Sequence, residues 1–501
     1  MPYELGGRAD KSGNKFEIRW VIYQMLKVFD EKLDYIILEA IGDDEKGVDI
    51  WIGQKDDSRE GQQCKGRNGS EEHWSYGDAN AKGIFANWKS QLDRDTSNTV
   101  ALVSPLAFTL LEDLINRARN TGENPKDFYE GQVLNAGKEF VGFFNNFCKA
   151  MDIDPAQEKD LVRCIYYLKR ITYRQTSDTE LKEMILNKIS YLLIGNEEEI
   201  YEKFIAWIVD GDILGKTINQ TALYAFLQEK NIQSKDLAND TRIMPRLDEL
   251  NQEYKRAFSP LDNGLITRKE FLMCKEKIDS RDSLIIHGKA GRGKSGCTVA
   301  VINYCEENRI PYLAIKLDKR IPCGNAEKWG NDLGLPASIS HCIHSISKNE
   351  RAIIILDQLD ALRWTQAHSK DALLVCAQII NQVERLNFER KYNISIIFVC
   401  RTYDLENDTI IKSLFKKDGK NKITSWNKVL VGDLDEELVK GIVGERYGQL
   451  TSKLKEILRI PSNLYIWQQL DPNKEYTECS TANHLVSEWW KQLLQNALNL
   501  E

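Results

Sequence analysis

Eight consecutive residues, Gly288-Lys289-Ala290-Gly291-Arg292-Gly293-Lys294-Ser295, follow the pattern GxxxxGK[ST]. Glycines at Gly288, Gly291 and Gly293 let backbone N–H groups curl around a β-phosphate. Lys294 would reach the β/γ oxygens, and the Ser295 hydroxyl would ligate Mg2+. The apolar run 283–287 before the loop and the helical pattern 295–305 after it supply the strand and helix that such a loop needs. The expected ligand is a nucleoside triphosphate, ATP, with Mg2+.

Further along, Ala352-Ile353-Ile354-Ile355-Leu356-Asp357 is an apolar strand ending in an acid, the Walker B form. Asp357 is expected to hold Mg2+ through water. The next residue is Gln358, not Glu, so the acid that polarises water in many fast ATPases is missing there, and Asp360 is the nearest substitute. Slow hydrolysis follows, with ATP acting more as a switch than as fuel. A third strand, 394–400, ends at Arg401, which either senses the γ-phosphate or is simply solvated. Arg268, upstream of the loop, is expected to close over the nucleotide, and Pro461 to cap the adenine side.

A second group lies near the N-terminus, in Gly47-Val48-Asp49-Ile50-Trp51-Ile52 and Gln62-Gln63-Cys64-Lys65. On a hairpin centred near Asp56, Asp49 falls almost opposite Gln63, and Lys65 shares a face with Gln63. Phosphodiester cleavage needs a carboxylate to hold a divalent ion, Mg2+ or Mn2+, near the phosphate, and a cation to offset transition-state charge. Asp49 supplies the first and Lys65 the second. Gln63 can offer a carbonyl oxygen, Glu17 on the preceding helix a second carboxylate, and Glu39 stands in reserve. By spacing alone, Asp49 and Lys65 also read as solvated residues of a strand edge.

The elements that position these groups differ along the chain. Residues 1–120 run helix, three strands, helix, strand, helix, with a helix near 80–92. Residues 121–260 lack strand signals; capping residues at Ser177 and Asn196 open helices, and the stretch reads as a helical spacer. Residues 261–432 alternate strand and helix, and 433–501 are helical. The last helix, 480–500, carries Trp489, Trp490, Leu493, Leu494 and Leu498, an apolar face expected to pack on a partner or on residues beyond a truncation.

The bulk numbers set limits. At 501 residues the chain has room for about two to four domains, and 42% hydrophobic with 29% charged residues excludes a disordered chain. A net charge of −7 excludes a general nucleic-acid coat. Residues 1–120 hold 16 Lys and Arg against 21 Asp and Glu, a net of −5. Such a module binds DNA weakly alone and better when several copies act together. Eleven cysteines without a CxxC pair, several inside apolar runs, read as reduced and buried. With no signal-peptide core near the start and no span-length apolar stretch, the expectation is a cytoplasmic protein with no membrane contact.

Two resemblances add to this. The loop, Leu356-Asp357-Gln358-Leu359-Asp360-Ala361-Leu362, Cys400-Arg401-Thr402, Thr267-Arg268 and Arg459-Ile460-Pro461-Ser462-Asn463-Leu464 resemble the STAND class of signal-transduction NTPases over about residues 260–501. The pattern Asp49…Gln63-x-Lys65 after Phe16-Glu17 resembles the Mrr-like branch of PD-(D/E)XK nucleases, with Gln63 where most members carry Glu. The pair together resembles the antiviral STAND (Avs) proteins. The resemblance implies an α/β multidomain chain: a restriction-endonuclease-like domain at 1–120, a spacer at 121–260, a P-loop core with helices on both faces of a parallel sheet at 261–432, and a helical subdomain at 433–501. It also implies a double-stranded DNA substrate, a phage protein as trigger through a sensor not visible here, and a homo-oligomer, a tetramer in that family. The alternative is a signalling or scaffold NTPase whose N-terminal domain binds DNA or protein without cutting.

Overall fold

The computed structural model describes residues 6–66, 72–121, 124–262, 264–280, 282–363, 369–415, 426–476 and 478–498. They form two compact units, Met1–Lys235 and Asp236–Glu501.

The first unit contains β1 (Tyr35–Leu38), β2 (Ile50–Gly53), β3 (Arg59–Cys64), β4 (Thr99–Ser104), β5 (Ile171–Gln175), β6 (Leu193–Ile194), β7 (Thr217–Asn219) and β8 (Gln233–Ser234). Six of them make a mixed sheet in the order β5-β4-β3-β2-β1-β7, while β6 and β8 pair separately. β1, β2 and β3 run antiparallel as a meander, and β4 and β5 continue parallel to β3. Successive side chains point to opposite faces. Ile50, Ile52, Cys64 and Val103 join one core with Phe16, Ile22 and Leu26 of helix Gly6–Phe29. Val100 and Leu102 join another with Phe85, Trp88, Leu114 and Phe147.

The division of the chain differs from the expected one. Residues 121–235 are not a spacer: they complete the first unit on both faces and both edges. Helices Lys138–Ala150 and Glu158–Arg170 place Phe143, Phe144, Phe147, Leu161 and Leu168 in the Leu102 core. Helices Asp178–Leu192 and Glu197–Asp210 place Ile185, Ile189, Ile200 and Phe204 in the Phe16 core. β5 pairs with β4, and β7 with β1. Amphipathic helices must bury their apolar stripes, and here Asp178–Leu192 packs on helix Gly6–Phe29 while Glu158–Arg170 packs on helix Thr109–Asn120, extending the cores on the two sides of the sheet. The capping residues act as expected: Ser177 accepts from Glu180 N–H in a capping box, and Asn196 accepts from Glu199 N–H. The helix expected near 80–92 is two helices, Tyr76–Ala81 and Ile84–Arg94, broken at Gly83.

The second unit holds a parallel sheet of β9 (Leu284–Gly288), β10 (Tyr312–Lys316), β11 (Ala352–Asp357), β12 (Ile394–Arg401) and β13 (Asn427–Leu430), ordered β10-β11-β12-β9-β13. Its strands are continuous apolar runs because both faces are covered. Ile286, Ile355 and Val399 meet Cys274, Val301 and Ile302 on one face. On the other face Phe398 meets the Phe415 and Trp426 rings. β10 is an edge strand, and helix Ile243–Arg256 covers it. Asn251 donates to Tyr312 C=O at 3.0 Å and accepts from Ala314 N–H at 2.8 Å, as a neighbouring strand would. Beyond Asp433, helices Glu436–Val443, Ser452–Leu458, Pro461–Gln468 and Ala482–Leu498 gather around Leu434, Leu458, Leu464, Trp467 and Leu485.

Candidate functional site

In the first unit the hairpin register puts Ile50 opposite Gln62, which sets Asp49 opposite Gln63 as the spacing predicts. Asp49 N–H donates to Gln62 C=O at 2.9 Å, and Asp49 Oδ2 accepts from Cys64 N–H at 2.7 Å. Lys65 stays in the sheet through its N–H to Val103 C=O at 2.9 Å, and its Nζ lies 3.5 Å from Asp49 Oδ2. Glu39 N–H donates to Asp49 C=O at 3.1 Å, so the end of β1 brings a second acid beside the first. Glu17 comes from the helix above. Trp20, one turn on, donates its indole N–H to Gln62 Oε1 at 2.6 Å, which fixes the rotation of that helix.

The electrostatics of this corner are unbalanced. Burial, then Asp49, then Glu39 raise the Glu17 carboxyl from 4.5 to about 7, and Lys65 offsets only part of this. Glu39 is raised by the same kinds of cause, burial first. Gln63 is 6% exposed, and its Oε1 has no hydrogen-bond partner among the described residues. A buried amide oxygen without a donor is costly unless something electropositive occupies its lone pairs. Among the described residues no group of three or more His, Cys, Asp or Glu side chains could hold a metal by itself. The oxygen atoms expected to serve a divalent ion here are those of Asp49, Glu17 and the Gln63 amide. Arg67, two residues after Lys65 in the sequence, lies outside the described residues.

In the second unit β9 ends at Gly288 and helix Lys294–Glu307 starts one residue before the expected Ser295. Gly291 and Gly293 have φ of +74° and +84°, a left-handed backbone that glycine adopts without strain. At Gly291 a Cβ would also lie 2.4 Å from Ser462 Oγ. Lys294 Nζ donates to the Gly288 and Lys289 carbonyls, each at 3.0 Å, and its burial lowers its pKa. Ser295 Oγ is 3.4 Å from Asp357 Oδ2. Asp357 is 2% exposed, and burial raises its carboxyl. Gln358 sits at φ +65°, turning the chain so that Leu359–Arg363 begins a short helical turn carrying Asp360. Arg401 Nε lies 3.0 Å from Asp360 Oδ2, and Arg401 N–H donates to Asp360 Oδ1 at 3.2 Å.

Gly291, Gly293, Lys294, Ser295, Asp357, Asp360, Arg401 and Arg268 all line one cavity of about 610 Å3. Its far wall is apolar, with Phe258, Leu265, Pro461, Tyr465 and Trp489. Gly288 is not in that lining; it closes the strand beneath, where a Cβ would lie 2.5 Å from Val431 C=O. Arg268, expected to close over the nucleotide, lines the cavity and is held from below. It is 8% exposed and bonds Glu270, the Arg292 carbonyl at 2.7 Å and the Gly432 carbonyl at 2.9 Å, so it braces the loop against residue 432. Arg292 also pairs with Asp433, and Ser462 N–H donates to Gly291 C=O at 3.1 Å. One residue at this site carried no functional signal in the sequence: Tyr254, whose hydroxyl donates to Asp357 Oδ2 at 2.8 Å.

The eleven cysteines have no disulfide partner, and all but Cys323 are buried. Among the described residues no helix is long and apolar enough to cross a membrane.

No protein-family model and no curated protein matches the chain. Solved structures similar to it include a Walker-type ATPase of Pyrococcus abyssi, at 15% identity over 48% of this chain and 77% of that one, with a TM-score of 0.32. A Cap4 SAVED/CARF-domain containing receptor of Acinetobacter baumannii is 12% identical over 89% and 86%, with a TM-score of 0.29. The ORC2 protein of Aeropyrum pernix, in ADPNP and ADP complexes, is 12% identical over 52% and 67%, with a TM-score of 0.26. These superpositions are loose.

Proposed function

We propose that the chain is an anti-phage defence effector: a metal-dependent endonuclease of double-stranded DNA, activated when the ATP-bound second unit drives assembly of a homo-oligomer. The observation that carries the nuclease is the corner of the first sheet, where Asp49 and Glu17 face Lys65 beside an unpartnered Gln63 oxygen. Mg2+ or Mn2+ there would polarise the scissile phosphate and lower the pKa of bound water. Asp49, Glu17 and the Gln63 carbonyl would hold it. Lys65 would bring positive charge to the phosphate oxygens, oriented by Asp49 and by the ladder bond to Val103.

The second unit is the gate in this reading. Gly288, Gly291 and Gly293 shape the loop, Lys294 and Ser295 take the β/γ-phosphates and Mg2+, and Asp357 completes the magnesium shell. Arg401 answers to the γ-phosphate once it releases Asp360, and Gln358 keeps hydrolysis slow. The trigger is a phage protein, the assembly a tetramer and the compartment the cytoplasm; resemblance to antiviral STAND proteins supports the first two. Gln63, which stands where most nucleases of that branch carry Glu and leaves the corner one negative charge short, favours a second reading, a signalling or scaffold NTPase whose first unit binds DNA or protein without cutting.

Plasmid nicking in Mg2+ or Mn2+ by protein assembled with ATP separates the two. Asp49→Ala and Lys65→Ala should each lower the rate about a thousandfold or more. Nicking that survives both substitutions sinks the assignment of the site.

A further inference from the structure

Helix Ile243–Arg256 lies outside the motifs that read as nucleotide-binding, yet it reaches the magnesium acid. Tyr254 is 2% exposed, and its hydroxyl proton goes to Asp357 Oδ2 at 2.8 Å, the same oxygen that lies 3.4 Å from Ser295 Oγ. Lys316 Nζ stands 5.5 Å over the Tyr254 ring. The helix is tied along its length. Asn251 bridges the β10 edge, Glu253 pairs with Arg320 at 2.7 Å, and Lys255 pairs with Glu306 at 2.9 Å on the helix that follows the glycine loop. It begins soon after the boundary between Lys235 and Asp236, so it is the first ordered helix of the second unit.

A phenol has one proton to give, and here it goes to a buried carboxylate. Without it Asp357, 2% exposed, loses a donor and a rotational constraint. Conversely, Asp357 cannot shift toward a Mg2+-bound nucleotide without pulling on Tyr254 and the helix that carries it.

We propose that Tyr254 is a positioning residue of the nucleotide site: it aims Asp357 Oδ2 at Ser295 and makes helix Ile243–Arg256 the element that registers a bound Mg2+-nucleotide. This rests on the reading of Gly288 to Ser295 as a nucleotide loop. Phosphate contacts do not need Tyr254; the contribution of Mg2+ does.

The test is affinity of the full chain for a fluorescent ATP analogue in Mg2+ and in EDTA, for wild type, Tyr254→Phe, Lys294→Ala and Asp357→Asn. Tyr254→Phe should keep the EDTA affinity and lose about tenfold of the gain that Mg2+ brings. Adding it to Asp357→Asn should cost no more than Asp357→Asn alone. In wild type, hydrogen exchange across 243–256 should slow more with Mg2+-ATP than with ATP in EDTA. A Tyr254→Phe chain with the full Mg2+ gain overturns the proposal, while weakened binding by Lys294→Ala leaves the nucleotide reading standing. Wild-type chain that binds no nucleotide in a Lys294-dependent way overturns both. Should Tyr254→Phe not fold, the wild-type exchange decides: unchanged protection at 243–256 on binding Mg2+-ATP is a negative result for the proposal.

Discussion

The two sites handle charge in opposite ways. The charged side chains that line the cavity beside the glycine loop already have partners: Lys294 has two carbonyls, Asp357 has Tyr254, Asp360 has Arg401, and Arg268 has Glu270 and two carbonyls. A nucleotide entering there exchanges partners. At the corner of the first sheet, Glu17, Glu39 and Asp49 face Lys65, two of the three acids are pushed up in pKa, and Gln63 Oε1 is left without a donor. A cation entering there fills a deficit. The first arrangement suits a switch that must rest quietly between two states. The second suits a catalyst that stays idle until its metal and a polyanion arrive together.

This contrast can be broken or sharpened in three ways. The largest effect is expected from cutting the chain. A fragment of residues 1–120 lacks β5, β7 and the helices that complete the cores on both sides of the first sheet, whereas 1–235 keeps them. The shorter fragment should give no cooperative thermal transition and the longer one a single transition; a cooperative melt of 1–120 would return residues 121–235 to the status of a linker. Next, Lys294→Ala should weaken ATP binding about a hundredfold, two charge-assisted hydrogen bonds being lost, and remove ATP-dependent assembly as read by light scattering. Assembly that persists in this variant would detach oligomerisation from the loop.

The smallest effect is a pH dependence. Glu17 is raised from 4.5 to about 7 in the folded chain, so the native state holds a proton that the unfolded state releases earlier. Its contribution to stability is full below 4.5 and is lost as pH rises through about 7. In metal-free buffer, wild type should lose a few degrees of melting temperature between pH 5 and 8 that Glu17→Gln does not lose. Mg2+ or Mn2+ should restore part of that loss above pH 7, where Glu17 is a carboxylate. Parallel curves for the two proteins would place Glu17 outside the metal corner.

Much of the glycine loop and its acid was legible because those residues are contiguous, and backbone chemistry leaves its mark in glycine spacing. The pairing of Asp49 with Gln63 was legible because strand periodicity is strictly two, so a hairpin centre fixes which residues oppose. The content of 121–235 was not. Ile171-Thr172-Tyr173-Arg174-Gln175 follows an amphipathic helix without a break in apolar density, and it becomes a strand because β4 offers it an edge. Thr217-Ile218-Asn219 is too short to carry a periodicity. Arg268 is placed near the nucleotide by its position in the sequence, whereas its pairing with Glu270, two residues on, leaves no mark there. Tyr254 had no local mark at all, since an aromatic residue on the apolar stripe of a helix reads as core whether or not its hydroxyl meets an acid.

The cover that Asn251 gives β10 has a consequence for any movement of its helix. A parallel sheet ending in an apolar strand is an open template for another strand, and here one side chain occupies the Tyr312 carbonyl and the Ala314 amide in a strand's place. Displacing helix Ile243–Arg256 would therefore uncover an adhesive edge in the same motion that frees Asp357. A chain whose working state is an assembly can make use of that edge; a chain caught alone in the displaced state would aggregate. Motion of this helix is safest when it is small, or when a second surface arrives as the first one leaves.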